Sequence, residues 1–253
     1  MYAHKDPTSK KNVAYQTDEV KKEIINYLYA CCDLGKLRYR FLQTIEDLQF
    51  LKENKHHVSP NFSGKNAYLI FKKLKTGYYS VLVDKKPLKY NRVHVDVSTI
   101  RLMPLNVKAR MDIYNGTILD GKLIKVGNPM GNQKGSKSVF LVCDVLYLEG
   151  KNMMDDLLEN KLINIKIYLE QHIKTDGGGA DRRHSFGFDI NKLYDYTQLE
   201  NMLCVNKNHP TYKMYGVVFY PPVSGNILVF NNLDTVKKII VSNNIIIIWC
   251  QDK

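Results

Sequence analysis

The sequence predicts an α+β fold in which mostly antiparallel strands follow an N-terminal helical hairpin. Two observations carry this expectation. Residues 18–48 place apolar side chains at helical spacing, whereas from about residue 65 the apolar residues fall in short runs separated by Gly, Asn, Asp and Pro. These are the respective signatures of amphipathic helices and of strands joined by turns. A third observation bounds the class: the longest apolar run, 245–249, is far short of the roughly 20 residues a membrane-spanning helix needs.

Taken in order, residues 1–16 read as a flexible Lys-rich arm with no apolar signal region. Asp18 can cap a first helix whose stripe is Val20, Ile24, Tyr27, Leu28 and Cys31. Gly35 ends it, and Leu37, Phe41, Ile45 and Leu48 mark a second helix. Strands are expected over 67–71, 79–83, 93–97, 111–114, 123–126 and 140–148. A helix is expected over 153–162 and another over 193–202, where Leu193, Tyr196, Leu199 and Met202 lie three apart. The last strands are 216–220, 227–230 and 245–249, and the polar and glycine-rich runs 127–138 and 175–179 read as loops. The organisation is thus an arm and hairpin over residues 1–55 and one α+β domain over 56–253.

Charge is unevenly placed. Residues 56–110 hold 11 Lys or Arg against 2 Asp, or +9 of the chain's net +12. A local positive field of that size suits a polyanion, and a Lys-rich solvated face is the plainer alternative. Within it Lys72, Lys73, Lys75, Lys85, Lys86, Lys89 and Arg92 interleave with Tyr78, Tyr79 and Tyr90, with Tyr114 following. Such a mixture can stack bases and hold phosphates, and the same tyrosines can equally be sheet core. His56 and His57 read as solvent-facing loop residues. The 5 cysteines are scattered, without a CxxC or a His/Cys ligand spacing, so no metal site is expected. An odd, unpatterned cysteine count fits a reducing compartment, cytoplasmic or nuclear, with no membrane partner.

Four stretches, in order, carry a family resemblance. Tyr114-Asn115-Gly116-Thr117-Ile118-Leu119-Asp120-Gly121-Lys122-Leu123-Ile124 resembles a motif of an apolar pair, Asp-Gly-Glu and a second apolar pair. The run from Phe140 through Asp144 to Gly150 resembles a strand ending in Phe-Asp and an apolar run closed by Gly. Tyr215-Gly216-Val217-Val218-Phe219-Tyr220-Pro221 is similar to Asp-Gly-Leu-Ile-Phe-x-Pro, and Ile246-Ile247-Ile248-Trp249 to the start of a Lys-Trp-Lys motif. These are motifs of the covalent nucleotidyltransferase superfamily of mRNA-capping guanylyltransferases and polynucleotide ligases. Phe219, Pro221 and the long strand at Asp144 tilt the resemblance toward capping enzymes. It covers about residues 65–250 and implies a guanylyltransferase-like core of antiparallel sheets, with 117–126 beside 140–148, Asp120-Gly121 at a tight turn and 216–220 close by. The chain stops at the last motif, so the oligonucleotide-binding domain that follows in the family is expected to be missing.

In that family a lysine amine attacks the α-phosphate of a nucleotide, and the covalent nucleotidyl-lysine passes its nucleotide to an RNA or DNA end. The amine must be neutral, which burial and neighbouring positive charge achieve. The expected Lys-x-Asp-Gly-x-Arg is not matched here. Anchoring on Gly77 places Leu74 at the nucleophile, Thr76 at the Asp and Tyr79 at the Arg; a one-residue bulge brings in Lys73, and Lys75 is adjacent. Lys122 replaces the Glu of the third motif, Tyr215 the acidic residue before Gly216, and Ile248 and Cys250 the lysines flanking Trp249. Glycines and strand residues are kept while the polar groups are replaced. His172-Ile173-Lys174-Thr175-Asp176-Gly177 contains Lys-x-Asp-Gly, but it follows the third motif and reads as a basic loop.

The resemblance therefore implies a nucleotide pocket at Gly77, Tyr79, Asp120, Gly121, Lys122, Asp144, Tyr215, Gly216 and Trp249. The expected function is that of a non-catalytic capping-type domain, an RNA-binding or scaffolding subunit working with RNA polymerase or capping and transcription subunits. The alternative is a divergent, active guanylyltransferase using Lys73 or Lys75 with magnesium and GTP; a ligase-type end-binding protein is a third class. Richness in Lys, Asn and Ile, together with capping-type motifs, points to a virus or another AT-rich cytoplasmic element.

Overall fold

The structure, a computed structural model, describes residues 17–42, 51, 55–105, 107–126, 136–175, 184–207, 209, 211–231, 236–242 and 245–250. It is α+β with mostly antiparallel sheets, and it divides into two compact units. The first comprises residues 1–35, 64–156 and 160–190; the second comprises 36–63, 157–159 and 191–253.

The first unit opens with helix α1 (Asp18–Cys31). Thr17 caps it, with Asp18 and Glu19 in its first turn, where the helix dipole favours acidic groups. Its buried stripe is Val20, Ile24, Ile25 and Leu28. Strand β3 (Lys65–Leu74) turns through Lys75 and Thr76 into β4 (Gly77–Asp84), and the register Leu74↔Gly77 closes a two-residue hairpin. After β5 (Leu102–Pro104) and β6 (Val107–Ala109) come β7 (Thr117–Val126), β8 (Ser136–Leu148) and the short β9 (Lys151–Asn152). Helix α2 (Leu158–His172) leads into β10 (Ile173–Thr175) and then β11 (His184–Ile190). Among the described residues the main sheet has the order β11-β8-β7-β3-β4-β5, with β9 on β8. Every pair in it is antiparallel except β8 with β11. Leu69, Ile70, Phe71, Val81 and Ile118 fill its centre with no exposure to solvent.

The second unit is built on a four-stranded sheet of order β1-β13-β12-β2. Its strands are β1 (Tyr39–Phe41), β2 (His57–Phe62), β12 (Met214–Tyr220) and β13 (Ile227–Asn231). Helix α3 (Leu199–Lys207) brings Leu199 and Met202 against Val58, Phe219 and Phe230 to form the core. A ribbon of β14 (Val236–Ser242) and β15 (Ile245–Cys250) follows.

Several expectations are corrected. The first helix of the hairpin forms, but residues 39–41 make strand β1, pairing in parallel with β13, because the open edge of that strand supplies hydrogen-bond partners; Ile45 and Leu48 lie outside the described residues. The segment expected as a strand over 93–97 forms two 3-10 turns, Arg92–His94 and Val97–Thr99, since Asn91 and Asp96 accept the freed backbone N–H groups of Val93 and Ser98. The segment 111–114 is also a 3-10 turn, Met111–Asn115, which buries the adjacent Ile113 and Tyr114. The helix expected over 153–162 starts five residues later, after turns in which Asn152 Oδ1 accepts from Met154 N. Part of the run read as a loop over 127–138 is strand, since β8 begins at residue 136. The rest of that run, and most of the glycine-rich loop, lie outside the described residues.

Gly121 is needed for a close approach. A Cβ there would overlap the Leu141 carbonyl oxygen and the Phe140 ring on the neighbouring strand. Gly121→Ala should lower stability by roughly 1–3 kcal/mol through overpacking, read as a shift of the urea midpoint. An unchanged midpoint would mean that β7 and β8 do not approach this closely.

Candidate functional site

Asp120 was expected at a tight turn with Gly121. Both instead lie in mid-strand β7, whose register with β8 slips twice, between Ile118 and Leu119 and between Asp120 and Gly121. Bulges of this kind re-aim side chains. Here the Cα of Asp120 pairs with that of Asp144 on β8, so two carboxylates stand side by side in the sheet. Gly216–Tyr220, expected near them, belongs to the sheet of the second unit.

Each carboxylate is matched by a buried lysine. Lys85, just past the end of β4, places Nζ 2.5 and 2.6 Å from the two oxygens of Asp120. The same Nζ lies 4.3 Å from the centre of the Tyr68 ring, on the strand between. Lys161 of α2, with 1% of its side chain exposed, reaches Asp144 at 2.7 Å. Burial alone would lower the Lys85 pKa; the Asp120 charge, with Tyr68, outweighs it and holds the amine above the ordinary lysine value. Burial raises the Asp120 carboxyl against the pull of Lys85, and Asp144 adds to that rise. The contact of one amine with both carboxylate oxygens is the geometry of a charge-assisted pair.

Lys122 lies two residues along the same face, with its Cα opposite Asn66, whose buried Oδ1 has no hydrogen-bond partner. Burial first, and then the Lys85 charge, lower the Lys122 pKa; Cys143 and Asp120 oppose them. Cys32, at the end of α1, completes the surroundings, its thiol pushed well up by burial and by Cys31 and Asp120.

The candidate nucleophiles are elsewhere. Lys73 is exposed near the tip of the β3–β4 hairpin, its Nζ 5.6 Å from the Tyr78 ring centre, and Lys75 is exposed in the turn. Gly77 has φ 143°, which favours glycine at the end of this turn. The Tyr79 hydroxyl shares a 2.8 Å hydrogen bond with Thr76, and its ring is buried. Tyr114 hydrogen-bonds Ser80 at 3.0 Å and stacks edge-on with Phe71 and Tyr78, so these tyrosines are sheet core. Lys72 lies 4.2 Å over the Tyr27 ring of α1.

Of the residues expected on a basic surface, Lys86 and Lys89 are exposed in the loop after β4. Lys85 is not among them, because its amine is internal. Arg92 is partly committed: its Nε donates to Asn26 Oδ1 at 2.9 Å and its Nη1 to the Val95 carbonyl.

In the second unit, Tyr215 is half exposed under Lys213, and Gly216 pairs with Asn61 on one side and Asn231 on the other. Trp249 lies on β15, its Cα opposite that of Lys238. His56 and His57, expected in solvent, are buried, because they lead into and open β2, an edge strand whose residues are all buried; His57 Nδ1 lies 3.4 Å from Glu159 Oε1. Among the described residues, no group of three His, Cys, Asp or Glu side chains could hold a metal ion, and no helix is long and apolar enough to cross a membrane.

Lys161 escaped the sequence reading, although its position was a signal. It falls between Leu158, Leu162 and Ile165 on the apolar stripe of α2, where a lysine needs a buried partner. Asp120→Asn should cost roughly 3–5 kcal/mol in urea unfolding, because it leaves the Lys85 charge buried without its partner, and the double variant Lys85→Met/Asp120→Leu should recover most of that loss. The raised Lys85 pKa gives a second readout. Its stabilisation is fully present below the ordinary lysine value and disappears as pH rises through the higher folded value, so wild type should lose stability in strong alkali by an increment absent from the double variant.

No known protein-family profile matches the chain. An uncharacterized protein of Acanthamoeba polyphaga mimivirus is 24% identical over 217 residues, covering 85% of this chain and 61% of its own length, so the chain spans about three-fifths of that relative. Among solved structures, a mycobacterial DNA ligase D complexed with ATP and MES is similar to this chain with a TM-score of 0.39 and 8% identity, over 78% of this chain and 60% of the ligase. A likeness this slight carries no weight for function.

Proposed function

We propose that this chain is a catalytically degenerate domain of the mRNA-capping nucleotidyltransferase type, acting as an RNA-binding or scaffolding subunit of transcription or RNA-processing machinery. The observation that carries the reading is the state of its lysines. Lys73 and Lys75, which lie nearest the position of the family's nucleophile, are exposed at a hairpin tip. A hairpin tip open to water encloses no pocket that could hold a nucleotide's α-phosphate against either amine. The buried amines of Lys85 and Lys161 are tied to Asp120 and Asp144, and those carboxylates are thereby withdrawn from any metal. Lys122 stands where the resemblance places a carboxylate. RNA is the favoured ligand because the basic stretch keeps Lys73, Lys75, Lys86 and Lys89 exposed. RNA polymerase or capping subunits are the partners this reading implies, and the mimivirus relative is consistent with a viral setting.

Two measurements test it. Incubation with α-labelled GTP or ATP and magnesium should leave no radiolabelled protein on a denaturing gel; a stable label removed by Lys73→Ala, Lys75→Ala or Lys122→Ala makes the chain an active transferase instead. Single-stranded RNA should bind with micromolar or tighter affinity that falls steeply with salt, because phosphate contacts release counterions. Absence of binding at low salt leaves only the scaffolding part of the proposal.

A further inference from the structure

The loop between β4 and β5 has a construction that the sheet does not require. Its backbone is fixed from both sides. The Tyr29 hydroxyl of α1 donates to the Lys89 carbonyl, and Asn91 and Asp96 each cap a 3-10 turn. Arg92 ties the loop to Asn26 of α1, while Val95 and Ile100 are buried beneath it. On this fixed frame two side chains that ordinarily seek burial keep much of their surface open to solvent: Tyr90 is 55% exposed and Val93 is 84% exposed. Lys86, Lys89 and His94 are exposed around them.

We propose that this loop is a contact site for single-stranded RNA, in which the Tyr90 ring stacks on a base, Val93 packs beside it, and Lys86 and Lys89 take the flanking phosphates. The inference rests on the RNA-binding reading above and deepens it by naming the element and the form of the ligand. An aromatic face flanked by ammonium groups matches a ligand with flat apolar faces strung on an anionic backbone. A duplex keeps its base faces stacked inside and offers such a ring nothing. An anionic membrane shares the charge, but one tyrosine and one valine bury far less apolar surface than interfacial anchoring uses. Because the loop is already ordered, binding does not have to fix it, which favours affinity.

The test uses the full chain and a fluorescein-labelled oligouridylate, with anisotropy followed across a salt series. Tyr90→Ala should weaken binding about tenfold while leaving the salt slope unchanged, and Tyr90→Phe, which keeps the ring, should restore it. Lys86→Glu with Lys89→Glu should flatten the slope. Thermal midpoints should stay at the wild-type value, since these side chains are exposed. If RNA binds but neither variant changes it, the loop assignment is overturned and the RNA-binding reading stands. If wild type binds no RNA at low salt, both are overturned. Equal affinity for an RNA duplex, or Tyr90-dependent binding of phosphatidylserine vesicles in place of RNA, also overturns the assignment.

Discussion

The sheet of the first unit has to accommodate two carboxylates as direct neighbours in its interior. Asp120 and Asp144 are register partners on β7 and β8, and like charges set opposite each other in a sheet repel. Removing them from water adds several kcal/mol of desolvation for each ion, which only close, hydrogen-bonded counterions can offset. Lys85 and Lys161 supply those counterions from segments far apart in sequence, one just beyond a strand and the other on a helix. The end of β4 and the helix α2 therefore cannot shift without exposing a buried charge. Tyr68, lying between Asp120 and Lys85 on the intervening strand, puts the negative face of its ring toward the same ammonium. Such a network is weak evidence for stability, yet it fixes which segments must meet.

That network also sorts the chain's positive charge into two populations. Lys85, Lys122 and Lys161 act as internal counterions, while Lys73, Lys75, Lys86 and Lys89 face water. A count of basic residues along the sequence therefore overstates the field available to a polyanion, and Arg92, though still charged, has donors engaged by Asn26 and Val95. The exposed cations lie at both ends of β4, with Lys73 and Lys75 at the hairpin before it and Lys86 and Lys89 in the loop after it, and Lys65, Arg101 and Arg110 are exposed elsewhere in the stretch.

Much of the fold was legible in the sequence, and what was missed has identifiable causes. Residues 67–71 and 79–83 alternate and cluster as sheet residues do, and both runs lie inside the observed strands β3 and β4. The stripe of α1 was visible because Val20, Ile24 and Leu28 repeat at helical spacing, but the cap expected at Asp18 is Thr17, one residue earlier, with Asp18 in the first turn. The segments 93–97 and 111–114 misled because valine and isoleucine favour strands, whereas the Asx caps at Asn91 and Asp96 and the buried Ile113–Tyr114 pair decided for 3-10 turns. Strand β1 was invisible, since its pairing partner lies nearly 190 residues away: Arg38 N donates to Asn226 Oδ1 just before the ladder begins. The site was legible in its residues but not in its pairings. Asp120, Lys122 and Asp144 were singled out on β7 and β8, while the lysines that neutralise the two carboxylates depend on tertiary approach.

The Asp-Gly pair at the centre of the family resemblance can be explained without a reaction. Gly121 is required because a Cβ would meet the Leu141 carbonyl and the Phe140 ring, so the close contact of β7 with β8 demands glycine whatever the site does. Asp120 is required because Lys85 would otherwise be a buried, uncompensated cation. Both residues thus have structural roles that persist when chemistry is lost. Lys122 belongs to the same arrangement: burial lowers its pKa, and the nearby Cys143 and Asp120 oppose that shift. Packing alone would favour an apolar residue at that position. Of the three consecutive residues, then, the first two are explained by packing and by one ion pair, and the third sets a further cation among the same buried groups.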